Sequence, residues 1–148
     1  MRALLQRVSG AEVRADGEVV GRIGPGLAIL VGVGRDDDEA VADALARKVA
    51  ELRLFADEAG RTNLSLLDVA GEALVVSQFT LYAEARRGRR PSFTDAAPPD
   101  LGELLYERFA TALRAIGVTV ATGRFGAAMA VELVNEGPFT LWLDTAES

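Results

Sequence analysis

Two periodicities divide the chain. Apolar residues recur every three to four positions in two stretches and follow strand-like patterns in most others. The first helical stretch is 38–54, where Val41, Leu45, Val49 and Leu52 make one stripe. Asp36-Asp37-Asp38-Glu39 stands at its start. Acids there cap free N–H groups and oppose the helix dipole favourably, so the cluster predicts a helix start rather than a metal or phosphate site. The second stretch is 100–116, with Leu101, Leu105, Phe109, Ala112 and Ile116 on one face and Gly117 as its C-terminal cap. Strands are predicted at 2–8, 11–15, 18–23, 27–33, 118–121, 129–134 and 139–143, with a short strand or irregular segment at 63–67. Asp16-Gly17 suits a tight hairpin, and Gly24-Pro25-Gly26, 57–60 and 135–138 read as turns. Residues 84–99 form one long polar loop. About seven or eight strands with two main helices predict an α+β fold, a mainly antiparallel or mixed, barrel-like sheet in a single domain spanning 1–148.

Composition narrows the chemistry more than the fold. The 148 residues are 49% hydrophobic and 26% charged, which suits one globular domain. No apolar run approaches a membrane span, and the first residues do not resemble a secretory signal. There is no Cys and no His. Thiolate chemistry, Ser-His-Asp arrangements and histidine metal sites are therefore excluded. A net charge of −6 argues against wholesale phosphate binding, although a local basic patch can coexist with it. Gly32-Val33-Gly34 lacks the third glycine of a dinucleotide loop, so neither cofactor nor metal is expected.

The run 75–83, Val-Val-Ser-Gln-Phe-Thr-Leu-Tyr-Ala, reads as a buried strand. Three polar residues interrupt it. Alternation puts Ser77 and Phe79 on one face, with Gln78 and Thr80 on the other. Buried hydroxyls and amides need partners, and neighbouring strands ordinarily supply them. The other distinctive stretch is Arg86-Arg87-Gly88-Arg89-Arg90-Pro91, four arginines within five positions of an acidic chain.

Three stretches read together as Ser77-Gln78-Phe79-Thr80-Leu81, Gly88-Arg89-Arg90-Pro91-Ser92-Phe93 and Asn135-x-Gly137-Pro138-x-Thr140. Their order and spacing resemble the D-aminoacyl-tRNA deacylases. The resemblance runs from Met1-Arg2-Ala3 and Gln6-Arg7-Val8 through Asn63-Leu64-Ser65-Leu66-Leu67-Asp68 and Thr122-Gly123-Arg124-Phe125-Gly126 to the last strand. Phe139 departs from the pattern, where many relatives carry a smaller β-branched residue. The resemblance implies a homodimeric cytoplasmic hydrolase that frees tRNA from a D-amino acid, with glycyl-tRNA as a further substrate. Ser77, Gln78, Phe79 and Thr80 would form the catalytic side. Gly137 and Pro138, through a cis peptide, would enter the partner subunit's site and exclude L-amino acids. Met129 would lie near the terminal adenine, and Arg7 would steady the Gly-Pro loop. Arg86, Arg87, Arg89 and Arg90 would contact the tRNA backbone.

The residue chemistry is compatible with ester cleavage. Without His or Cys, hydrolysis must rest on positioning and on stabilising the oxyanion. Backbone N–H groups around Phe79 and Thr80 suit the second task. The Thr80 hydroxyl could attack, orient water or only hydrogen-bond. Thr without a base is a poor nucleophile, which favours attack by water assisted by the substrate's 2′-hydroxyl. Two other readings use the same residues. A dimeric RNA-binding module would leave the ester intact, and a regulatory domain would bind free D-amino acids without tRNA.

Overall fold

The computed structural model describes residues 1–147. The chain opens with one 14-residue strand, β1 (Arg2–Ala15), where two separate strands were expected. Asp16 (φ 52°) and Gly17 (φ 78°) turn it into β2 (Glu18–Ile23) with the paired positive φ angles of a tight hairpin. β3 (Gly26–Gly32) follows after a short turn. The Asp38 side chain accepts from the Val41 N–H at 2.9 Å and so caps α1 (Glu39–Glu51). α1 stops before the expected residue 54. Arg53–Ala56 leaves it as β4, which buries Leu54 and pairs with β5 (Thr62–Ser65). Asp57 holds the connecting turn by accepting from the N–H groups of Ala59 and Arg61. Then come β6 (Glu72–Ser77), α2 (Pro99–Ile116), β7 (Thr119–Thr122) and β8 (Met129–Asp144). Pro99 begins α2, where a missing N–H costs nothing, and left-handed Gly117 (φ 115°) ends it.

The main sheet runs β2-β1-β3-β6-β7, with β8 on β1 as well. β3–β6 and β6–β7 are parallel and the other pairings antiparallel, so the sheet is mixed. The first half of β1 lies between β3 and the end of β8; its second half lies between β2 and the start of β8. The sheet curls until β2 nears β7 and the barrel almost closes. Gly21 permits that approach, since a Cβ there would stand 2.6 Å from the Thr122 carbonyl oxygen.

Both faces of the central strands are buried. Leu27, Ile29, Val31 and Val75 pack toward α1 and α2, against Leu45, Val49, Phe109 and Leu113. Ala28, Leu74 and Val76 face the barrel interior with Val8, Val13 and Ile23. Parallel strands covered on both sides need an unbroken apolar run, as 27–31 has. Each fully buried large side chain of this kind contributes about 2 kcal/mol through desolvation. β8 is covered differently. Among the described residues only β1 pairs with it, and Val131, Val134 and Trp142 remain exposed along it. No helix is long and apolar enough to cross a membrane among the described residues.

Candidate active site

The run 75–83 is not a strand throughout. β6 ends at Ser77, and Phe79–Tyr82 forms a single 3₁₀ turn. The Gln78 N–H donates to the Val31 carbonyl at 2.8 Å, the last bond of the parallel ladder. Beyond it the polar residues escape burial. Gln78 is only half-buried, Thr80 is exposed, and Phe79 is 56% exposed. The expected alternation of 77 and 79 against 78 and 80 therefore fails, because the chain turns instead of pairing. Two glycines from the dismissed dinucleotide pattern let the turn sit close to β3. A Cβ on Gly32 would come within 3.0 Å of the Gln78 carbonyl oxygen, and one on Gly34 within 2.8 Å of the Tyr82 hydroxyl. Burial pushes the Tyr82 phenol far above its usual range, with Asp37 and Asp144 adding to the effect.

A cleft of about 640 Å³ opens beside this turn. Ser77, Gln78 and Phe79 form one wall, and Phe93, Phe125 and Met129 line much of the rest. Thr80 stands just outside the lining, its hydroxyl accepting from Gln78 Nε2 at 2.5 Å. Phe79 and Phe93 meet edge to face at 5.1 Å across the mouth. Met129 is fixed by its sulfur, which accepts from the Arg124 N–H at 3.3 Å. No carboxylate lines the cleft among the described residues, and the chain has no His or Cys. The cleft thus offers amides, hydroxyls and aromatic faces but no general base. A larger hollow of about 720 Å³ lies between α1 and the end of β8. It contains none of the motif residues, so the smaller cleft is the candidate site.

Gly137 and Pro138 do not reach this cleft. The expected turn at 135–138 does not separate two strands that pair with each other. Both arms of β8 pair with β1, and the residues between Asn135 and Thr140 bulge out where β1 advances only from Val8 to Gln6. The Gly137-Pro138 peptide is cis. Asn135 Oδ1 accepts from the Phe139 N–H at 3.0 Å, and Asn135 Nδ2 donates to Thr140 Oγ1 at 3.0 Å. These two staples were visible in the motif spacing, yet their role was not. Arg7 clasps the bulge from below. It donates to the carbonyls of Glu136 (3.1 Å) and Leu54 (2.8 Å) and lies 4.7 Å over the Phe139 ring. The larger Phe139 thus supplies a cation–π contact to the same clasp. Arg7 pairs with Leu27 on β3, whereas Ser77 lies beside Val31. Four residues of strand separate them, about 13 Å at the usual rise.

The arginine loop is a short hairpin closed by the Glu84–Ser92 bridge, with left-handed Gly88 (φ 65°) near its tip. Arg86 pairs with Glu84 at 2.9 Å, which lowers the Glu84 carboxyl below its usual range and raises the guanidinium. Arg87, Arg89 and Arg90 are exposed.

The chain as a whole has counterparts among known proteins. The family described as D-Tyr-tRNA(Tyr) deacylase matches residues 4–144. The chain belongs to this family. A D-aminoacyl-tRNA deacylase of Roseiflexus sp. (strain RS-1) is 64% identical over 99% of this chain and 94% of its own length. One from Thermomicrobium roseum is 63% identical over 99% and 96%. Among solved structures, a protein described as a c-Myc DNA unwinding element binding protein superposes with a TM-score of 0.93 at 36% identity, covering 98% of this chain and 99% of that one. A probable eukaryotic D-amino acid tRNA deacylase, 19% identical with a TM-score of 0.85 over 96% and 97%, shares the fold. The α+β fold built here is thus shared with that protein, and in this chain Ser77, Gln78 and Phe79 stand on the wall of the cleft.

Proposed function

We propose that the chain is a D-aminoacyl-tRNA deacylase, hydrolysing the ester between a D-amino acid and the terminal adenosine of tRNA. The carrying observation is a cleft walled by Ser77, Gln78 and Phe79 that contains no general base, in a chain of this family. An aminoacyl ester is already activated, so positioning and oxyanion stabilisation suffice. The N–H groups of Phe79 and Thr80 begin the 3₁₀ turn and find no acceptor among the described residues. They are suited to hold the ester's carbonyl oxygen as it gains charge. The adenine packs against Met129, and water attacks with help from the neighbouring 2′-hydroxyl. Purified protein should release D-tyrosine from D-tyrosyl-tRNA far faster than L-tyrosine from its L counterpart. Intact D-ester after prolonged incubation would overturn this reading and leave RNA binding or the binding of free D-amino acids.

We read the Thr80 hydroxyl, which accepts from Gln78 Nε2, as a positioning group rather than a nucleophile, because a threonine without a base is a poor nucleophile. Thr80→Ala should lower the rate by roughly tenfold, a typical loss for one hydrogen bond to a charged or reacting group. Removing the substrate's 2′-hydroxyl should cost more. An acyl adduct on Thr80 seen by mass spectrometry would overturn this assignment.

The second half of the site comes from a second copy. Gly137 and Pro138 lie away from their own cleft, and β8 presents an unpaired edge with exposed Val131, Val134 and Trp142. Two-fold pairing brings each Gly-Pro loop to the partner's cleft and makes two equivalent sites. There the loop rejects an L side chain by clash and lets hydrogen pass, so glycyl-tRNA is also cleaved and chirality is proofread. The exposed Arg87, Arg89 and Arg90 contact the tRNA backbone. Sedimentation at micromolar concentration should give a species of about twice the 15.7 kDa chain mass. A sole species at the chain mass would exclude the shared site.

A further inference from the structure

The cleft has one charged lining residue among those described, and it belongs to none of the family motifs quoted above. Arg35 leaves β3 at the rim, two residues beyond Val33, which also lines the cleft. Its Nε donates to the Thr94 carbonyl. That carbonyl belongs to a segment tied down twice: the Ala97 N–H donates to the Val33 carbonyl at 2.9 Å, and Gly34 bridges to Ala96. The guanidinium is therefore seated beside Phe93 by main-chain bonds, not left free on its stem. No carboxylate pairs with Arg35 among the described residues, although Arg2, Arg14, Arg22, Arg86, Arg108 and Arg124 all have acidic partners.

An unpaired, oriented guanidinium at the mouth of an otherwise uncharged cleft calls for an anion. On the substrate proposed above, the aminoacyl group has no free carboxylate and bears a cationic α-amino group, which Arg35 would repel. The anion at hand is the phosphodiester. We propose that Arg35 binds the phosphate on the 5′ side of the terminal nucleoside and so fixes how far the aminoacyl end enters the cleft. This rests on the deacylase reading. In a chain of net charge −6, tRNA needs such local anchors to approach at all.

The test compares substrates that differ only in that phosphate. Wild type, Arg35→Ala and Arg35→Lys are assayed on D-tyrosyl-tRNA, on D-tyrosyl-adenosine 5′-monophosphate and on D-tyrosyl-adenosine. Arg35→Ala should raise KM roughly tenfold on the two phosphate-bearing substrates and leave D-tyrosyl-adenosine unchanged. Arg35→Lys should recover most of the loss, and the salt dependence of tRNA binding should fall by about 0.7 in log–log slope for Arg35→Ala. Equal loss on all three substrates would mean that Arg35 only clasps Thr94, and no loss on any would mean it does nothing here; either overturns the assignment. Wild type that cleaves none of the three overturns the deacylase reading itself.

Discussion

Gly26→Ala should leave little folded protein. A Cβ at Gly26 would stand 1.8 Å from the Glu72 carbonyl oxygen and 2.6 Å from its nitrogen. Both are backbone atoms in the first register pair of the parallel β3–β6 ladder, so neither can swing aside. The same corner is fixed twice more, by Glu72 N–H to the Pro25 carbonyl at 3.1 Å and by Gly24 N–H to the Glu72 carboxylate at 2.9 Å. Parting these strands opens both cores, since β3 and β6 contribute to each. The cost should exceed about 4 kcal/mol, a large part of a typical domain's stability. Gly17→Ala is the control. Its φ of 78° strains an alanine, but nothing lies within 4 Å of the added carbon. That change should cost only about 1 kcal/mol. Thermal unfolding should show Gly26→Ala lower by roughly 8–16 °C or unfolded outright, and Gly17→Ala lower by roughly 2–4 °C. A Gly26→Ala protein as stable as the control would contradict the close approach of β3 and β6.

Much of this fold is legible because its signals are local. Asp38 caps α1, Gly117 ends α2 and Asp16-Gly17 turns the first hairpin through bonds and dihedrals within a few residues. The errors arise where a distant residue decides. Whether the strand continues past Ser77 depends on Val31, whose carbonyl takes the Gln78 N–H and ends the ladder. Leu52 fits a helical stripe, yet the chain there is already turning into β4, because β5 offers an antiparallel partner. Pro138 argues for a chain reversal, but β1 holds both arms of β8 and leaves only the bulge between them. The site shows the same division. Its motif residues are legible through spacing, whereas Arg35 has no local signature and is found only because the fold sets it at the cleft's rim without an acid. Gly32 and Gly34 carry a pattern that suggests a nucleotide loop, and what they do in the fold is admit the 3₁₀ turn beside the cleft.

Gly137→Ala should cost at least about 100-fold in kcat/KM on D-tyrosyl-tRNA, the loss that a misplacement of about 1 Å can produce. Its φ of 129° disfavours any L side chain, and a Cβ would approach Arg7 Nη2 to 2.8 Å and the Phe139 nitrogen to 3.2 Å. Arg7 is a long side chain, but it is not free to yield. The Leu54 and Glu136 carbonyls and the Phe139 ring hold it from three sides. The bulge must therefore move instead. Because Glu136, Gly137 and Pro138 at the tip of the bulge are exposed and only Phe139 packs on the core, stability should fall far less than for Gly26→Ala, and the D-over-L preference should fall with the rate. A second measurement asks whose cleft the loop serves. Gly137→Ala and Gln78→Ala are each nearly inactive on this view, one through its loop and the other through its cleft wall. If each loop enters the partner's cleft, a dimer of the two variants contains one intact cleft facing one intact loop. Unfolding and refolding an equal mixture should then recover about a quarter of the native rate, since half of the dimers are mixed and each has one good site. If each loop served its own chain, every site in the mixture would carry a defect, and no activity would return.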